Sequence, residues 1–346
     1  MIEEQRTNLV NISEDISDAS FTTNFITKQG STLIAPDGTL TAGTITSTVG
    51  TTGMRLQKTA TSSTGVAVTY SIYVKKGNNR YVTIGDRGES TEPWSTFDFD
   101  TESITGSPIV TTVNSTSVGN GWYRISMTWT KQNASFAGIV AFKSSFATTN
   151  TTPSFVGTGY ETIHIWGMQL EVGSFPTSYI KTTGSQVTRS VDSAVMNNID
   201  TSEWFKQGQG TILFNGKQNG TGNNGLIKLN DGTNNNVIGL YVYASSNTMF
   251  AHIEKDNIIY SDLNLSATSS GADYKAILSY DYNDVNTIKT GTSVVTDTGS
   301  IIPFVTTLDL YRYITTSATT GAKYIKKLAY YPLALTSNEI TDLSEE

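Results

Sequence analysis

The chain contains no cysteine, which excludes a disulfide framework, a thiolate metal site and a cysteine nucleophile. Histidine is nearly absent: His164 and His252 are the only two in 346 residues, so chemistry that depends on imidazole has little to work with. Charge is thin as well, at 15% Asp, Glu, Lys and Arg. The net value of -7 argues against a nucleic-acid partner, because phosphate binding needs a basic face. Cations are scattered, the densest group being Lys323, Lys326 and Lys327. No apolar run approaches the roughly 20 residues of a membrane-spanning helix, and no membrane insertion is expected. The opening Met1-Ile2-Glu3-Glu4-Gln5-Arg6 does not read as a signal peptide. Helix-forming Ala, Leu, Lys and Glu are scarce.

What remains is hydroxylic and amidic. Ser and Thr make up roughly a quarter of the chain, well above ordinary usage. Thr, Val, Ile, Tyr and Phe favour strands, and period-two alternation dominates. In 66–75, Val66, Val68, Tyr70, Ile72 and Val74 share one face, and in 122–130 Tyr123, Ile125, Met127 and Trp129 do the same. The stretch 96–100 buries Phe97 and Phe99 and shows Asp98 and Asp100. Around Ile163, His164, Ile165 and Trp166 both faces are apolar, as in a strand held between two layers. Turn chemistry separates these runs at Pro36-Asp37-Gly38, Lys76-Gly77-Asn78-Asn79 and Gly119-Asn120-Gly121. The stretch 182–202 reads as a linker or long crossover.

Further strands are expected at 211–215, 236–243, 248–254, 274–282, 308–314 and 324–331, with turns at 220–225 and 230–236 between them. A short C-terminal helix at 337–344 would be capped by Ser337 or Asn338. The fold class is therefore all-β: two β-sandwich (jelly-roll) domains in tandem, over 1–195 and 196–346.

Five ordered phrases carry a resemblance. They are Arg6-Thr7-Asn8-Leu9 with Ser13-Glu14-Asp15; Pro36-Asp37-Gly38-Thr39; Tyr70-Ser71-Ile72-Tyr73-Val74-Lys75-Lys76-Gly77; Gly121-Trp122-Tyr123-Arg124-Ile125; and Ile165-Trp166-Gly167-Met168-Gln169-Leu170-Glu171 followed by Pro176-Thr177-Ser178-Tyr179-Ile180. Together they resemble a carbohydrate-binding-like module of phage and prophage tail proteins, with Phe21 where that family more often has Trp. The second half is similar to concanavalin-A-like (laminin-G-like) jelly rolls at its two ends, Trp204 with Gly210-Thr211-Ile212 and Lys326-Lys327-Leu328-Ala329-Tyr330-Tyr331-Pro332. The resemblance implies a tail-fibre or receptor-binding protein touching cell-surface glycan. In that family the opening phrase usually lies inside a longer protein, so a fragment or a short fibre without the usual virion-attaching N-terminus is expected.

Sugar recognition needs flat apolar faces for pyranose C–H groups and Asp, Asn, Gln or Arg for hydroxyls. Trp94, in a loop entering a strand, is one stacking candidate, against a rim residue covering the core edge. Trp122 beside Arg124 is a second, against a strand buried on both sides. In the second half Tyr241 and Tyr243 share a strand face, as do Phe250, His252 and Glu254 on the next; if those strands pair, they form an aromatic and polar platform. The plainer reading there is Tyr rings shielding an outer sheet. Asp98, Asp100 and Glu102, or Glu254 with Asp256, have the spacing of paired glycanase acids, but solvated faces explain both. No cofactor is expected. A structural Ca2+ is allowed for at Asp281-Tyr282-Asn283-Asp284 or the 230–236 turn, where the turn reading dominates.

The function expected is non-catalytic binding of host cell-surface polysaccharide by a phage tail-fibre adhesin. Its partners would be other virion or tail proteins and further copies of itself, a trimer by family analogy. It would be assembled in the host cytoplasm, reside in the virion and become extracellular on release. A polysaccharide depolymerase (hydrolase or lyase) and a structural virion decoration protein are the alternatives.

Overall fold

A computed structural model describes residues 2–147, 153–219, 223–243, 246–310 and 322–346. Among the described residues the chain is all-β apart from a 3-10 turn at Ile199–Thr201 and a helix at Ser337–Glu345. Among the described residues no helix is long and apolar enough to cross a membrane. Two compact units form, Arg6–Arg189 and residues 2–5 with Ser190–Glu346. Residues 2–5, expected with the first sandwich, belong to the second. Ile2 and Lys323 exchange backbone bonds of 2.9 Å, and Glu3 bonds the backbone and side chain of Asp192.

The first unit packs two six-stranded antiparallel sheets. One runs Ser103–Gly106, Trp94–Asp98, Tyr81–Asp86, Ser135–Lys143, Arg55–Thr61, Phe21–Asn24. The other runs Thr112–Gly119, Trp122–Thr130, Ala67–Lys76, Thr162–Val172, Ala42–Ser47, Ile26–Leu33. The alternation puts Tyr70, Ile72, Val74, Ile125, Met127 and Trp129 into the shared core, as their spacing requires.

The opposite face of the second sheet is sealed too. Glu171 accepts from the Thr177 N–H and hydroxyl, Gln169 Oε1 from the Ile180 N–H at 2.7 Å, and Tyr179 bonds Ser13. Asn8 donates to the Met168 and Ile180 carbonyls and accepts from the Val10 and Leu170 N–H groups. A register shift between Trp166 and Gln169, with Gly167 at φ +65°, aims this row of polar side chains at the covering segment. The first and last of the ordered phrases therefore meet as a latch across one sheet face.

In the second unit a six-stranded sheet runs Val195–Asn197, Thr307–Asp309, Asn224–Asn230, Val237–Tyr243, Thr248–Lys255, Ile258–Ala267. It faces a five-stranded sheet, Val295–Asp297, Asp284–Lys289, Asp273–Asp281, Gly210–Asn219, Ala322–Tyr331. Ile212, Phe214, Leu240, Ile253, Leu278 and Tyr280 fill the space between. The stretch read as a linker pairs at both ends: Val187–Arg189 with Arg6–Asn8 in the first unit, and Val195–Asn197 with Thr307–Asp309 in the second. Residues 311–314 of the expected 308–314 strand, and 220–222 of the expected 220–225 turn, lie outside the described residues. The helix is capped one residue earlier than expected, because Thr336 and Glu339 close a reciprocal capping box.

Candidate functional site

The expected pairing of two second-unit strands occurs, with Tyr241 opposite Phe250 and Gly239 opposite His252. Ile238, Leu240, Val242, Ala251 and Ile253 point into the core, which turns Tyr241, Tyr243, Phe250, His252 and Glu254 to the other face. The next strand adds Asp262 opposite His252 and Asn264 opposite Phe250. Tyr241 and Phe250 stack at 5.4 Å with 13° between their planes, and His252 stands edge-on to Tyr241 at 5.8 Å.

Polar contacts fix this floor. Tyr241 donates its hydroxyl proton to Asp262 Oδ1 at 2.7 Å. His252 Nδ1 lies 3.1 Å from the same oxygen, and Nε2 lies 3.1 Å from Glu254 Oε2. A neutral imidazole donates from one nitrogen only, so the tautomer decides which of the two carboxylates receives its proton. Tyr241 and His252 are themselves buried, at 4% and 1% exposure, and act as the frame. The groups on offer are the Tyr243 ring, 46% exposed, and the carboxylates of Asp262 and Glu254, 38% and 18% exposed. The imidazole of His252 fills the space between those two acids.

Three first-unit expectations do not hold. Trp94 is 1% exposed, packed on Ile139 and Ala141 with its ring over Gly85, and Nε1–H donates to Glu92 at 3.1 Å. Glu92-Pro93 leads straight into the strand, so Trp94 sits in a ladder position rather than at a loop tip. Trp122, also 1% exposed, packs with Ala35, Ala42 and Trp166 under the latch and donates to the Ile34 carbonyl. Arg124 stacks on Tyr73 at 5.4 Å and donates to the Thr177 carbonyl at 2.6 Å and Ser71 at 3.0 Å. It clamps the latch.

The spaced acids also part company. The strand ends at Asp98, so Asp100 and Glu102 fall in a turn, with Glu102 at φ +55°. Asp98 is buried and takes a two-pronged bond from Arg80, which holds its carboxyl well below the usual range. Asp256 lies in the hairpin turn with Asn257, both at positive φ, and leaves Glu254 without it on the sheet face. At the suggested Ca2+ turns the oxygens are engaged locally. Asp231 accepts from Thr233 and Asn236, Asp281 from the Tyr282 N–H, and Asp284 from Asn286. Among the described residues no three His, Asp or Glu side chains are grouped to hold a metal ion.

Sequence reasoning missed Asp262 and Asn264. Their signal was Leu263 and Leu265 alternating with them after the Asp256-Asn257 turn. Openings elsewhere among the described residues include a polar groove and an apolar slot. In the first unit the polar groove, of about 390 Å³, is lined by Glu14, Asp15, Asp18 and Lys181. In the second, the apolar slot, of about 230 Å³, lies between Met196, Trp204, Leu328 and Tyr330. Trp204 is 40% exposed, the only one of the five tryptophans that is not buried.

No family model matches the chain, and no curated protein matches it. Among solved structures, a NanB structure with Optactamide aligns with a TM-score of 0.35 at 12% identity, over 43% of this chain and 26% of that one. The chain thus spans about a quarter of that protein. A heptameric SAP-like pentraxin from Limulus polyphemus gives 0.31 at 14% identity, over 40% and 73%. Domains LG4-5 of the mouse laminin alpha1 chain give 0.31 at 10% identity, over 78% and 83%.

Proposed function

We propose that the chain is a non-catalytic glycan-binding protein that reads sugars on the outer face of the six-stranded sheet of its second unit. One observation carries this reading: the half-buried Phe250 ring, stacked on Tyr241, lies two strand positions from His252, whose ring sits between the carboxylates of Asp262 and Glu254, and Tyr243 is exposed further along the same sheet face. A ring for the C–H side of a pyranose and fixed acceptors for its hydroxyls are what a shallow sugar site requires. The frame makes the acceptors costly to move, which favours preorganised binding. The carrier is a phage tail fibre in this reading, supported by the five ordered phrases of the first half. Single sites of this openness bind weakly, and repetition in a multimer, a trimer by the same analogy, would multiply them.

The test is a binding titration of the full chain against host-envelope polysaccharide and a broad glycan array, for wild type and Asp262→Asn. Saturable binding that the substitution weakens supports the reading. Blank results for the multimeric protein on both, or binding indifferent to Asp262, overturn it. Steady release of new reducing ends or unsaturated uronates would move the protein to the depolymerase class.

A further inference from the structure

A chain without cysteine has no disulfide to tie its two first-unit sheets together, yet it carries a fully enclosed amine between two carboxyl groups. Asp86 ends the strand Tyr81–Asp86 of one sheet, and Lys131 follows the strand Trp122–Thr130 of the other. Lys131 Nζ lies 2.6 Å from Asp86 Oδ2 and 2.8 Å from Glu89 Oε1, with no solvent exposure on the Lys131, Asp86 or Glu89 side chains. The rings of Trp129 and Phe136 lie 5.9 Å from the amine.

The two oxygens of Asp86 are not equivalent. Oδ1 accepts from the backbone N–H groups of Gly88 and Ala137, both at 2.8 Å, while Oδ2 meets only the amine. A paired set of N–H donors on one oxygen polarises the carbonyl carbon and suits an oxyanion formed there. Glu89 is held in place by Trp129 Nε1–H at 3.1 Å and by the Asn133 N–H at 2.9 Å.

We propose that Lys131 and Asp86 become joined in the folded protein by an autocatalysed isopeptide bond, with Glu89 carrying the proton. The ammonium passes one proton to Asp86 Oδ2, giving a neutral amine beside a neutral carboxylic acid. The amine nitrogen attacks Asp86 Cγ, forming the C–N bond, while the negative charge gathers on Oδ1 under the two N–H groups. Glu89 takes a second proton from the nitrogen and delivers it to Oδ2. Oδ2 leaves as water, the C–Oδ2 bond breaks, and Glu89 returns to its carboxylate. One hydrogen stays on the amide nitrogen, and no oxidant, reductant or co-reactant is needed.

The environment favours these states. Burial pushes the Asp86 carboxyl up, outweighing the bonds from Lys131 and Ala137 that pull it down. Burial acts on Glu89 in the same direction, but bonds from Lys131, Trp129 and Asn133 keep it below its ordinary value, as a base.

Intact mass spectrometry of the purified full chain decides the matter without any variant. The expected mass is lower than the sequence value by one water, about 18 Da. Proteolysis should then yield a branched peptide linking Lys131 to Asp86. Glu89→Gln should remain at the full mass, and Asp86→Asn, which would lose ammonia instead, should fall by about 17 Da. A wild-type chain at full mass, or a water loss mapped elsewhere, overturns the bond. A Glu89→Gln chain that still loses water at this pair overturns the role of Glu89.

Discussion

The two sandwiches treat the outer face of a sheet in opposite ways. In the first, Thr69, Ser71, Gln169 and Glu171 point away from the core and are nevertheless fully buried, because the segment around Thr177–Ile180 lies on them. In the second, Tyr243, Asp262 and Glu254 also point away from the core, and part of their surface stays open. Polar residues at outward strand positions thus serve closure in one unit and presentation in the other. The difference lies in the chain beyond each strand. Thr162–Val172 is succeeded by a segment whose backbone offers N–H and carbonyl groups to the polar row, whereas the strand Ile258–Ala267 leaves Asp262 and Asn264 exposed beyond His252 and Phe250.

The sharpest way to break this contrast is to cut into the latch. Trp122→Ala should cost the first unit about 3–5 kcal/mol through the cavity left against Trp166, read as a lowered melting transition, with glycan binding intact where the unit stays folded. Binding lost without destabilisation would return Trp122 to the role of sugar platform. Asp262→Asn should do the reverse: affinity falls about tenfold, or about 1.4 kcal/mol, while stability moves by less than about 1 kcal/mol. Isothermal titration beside a thermal melt separates the two effects.

Titration should also distinguish the units. Burial would raise Glu161 in the first unit, but bonds from Ser47 and Thr158 hold it down at about 2, below the ordinary 4.5. A carboxyl depressed by folding gives stability that is full above the unfolded value, so it is lost as pH falls from about 4.5 toward 2. Glu161→Gln should flatten that acid limb. In the second unit burial lowers Lys323 to about 7 from 10.5, opposed by Asp309. Between those values the unfolded chain binds the extra proton, so stability rises with pH across about 7 to 10.5, and Lys323→Met should remove the slope. Denaturant melts at stepped pH check both. The smallest effect is expected at Tyr243→Phe, which keeps the ring and should change affinity by less than about threefold; a larger loss would assign binding to the hydroxyl.

Much of the fold was legible because alternation in 66–75 and 122–130 leaves one burial pattern possible. The strand Ile258–Ala267 was not, since Ile258 and Ile259 are adjacent apolar residues and register shifts interrupt its pairing. Asp262 was hidden with it. The half of the site on Tyr241, Tyr243 and His252 was readable, because a shared face follows from period two once the strands pair. Trp94 and Trp122 misled for a different reason: exposure depends on segments distant in the chain, Ser107 bonding the Trp94 backbone and Ile34 receiving the Trp122 indole. Periodicity carries no information about such covers.

The central claim is that binding resides on the second unit's sheet face and that the first unit's tryptophans only hold it together. One measurement addresses it directly: isotherms of host-envelope oligosaccharide on the full chain, for wild type, Asp262→Asn and Trp94→Phe, with folding of each confirmed by its melt. The account predicts weakened binding for Asp262→Asn and an unchanged isotherm for Trp94→Phe. An isotherm that collapses with Trp94→Phe and ignores Asp262→Asn would contradict it.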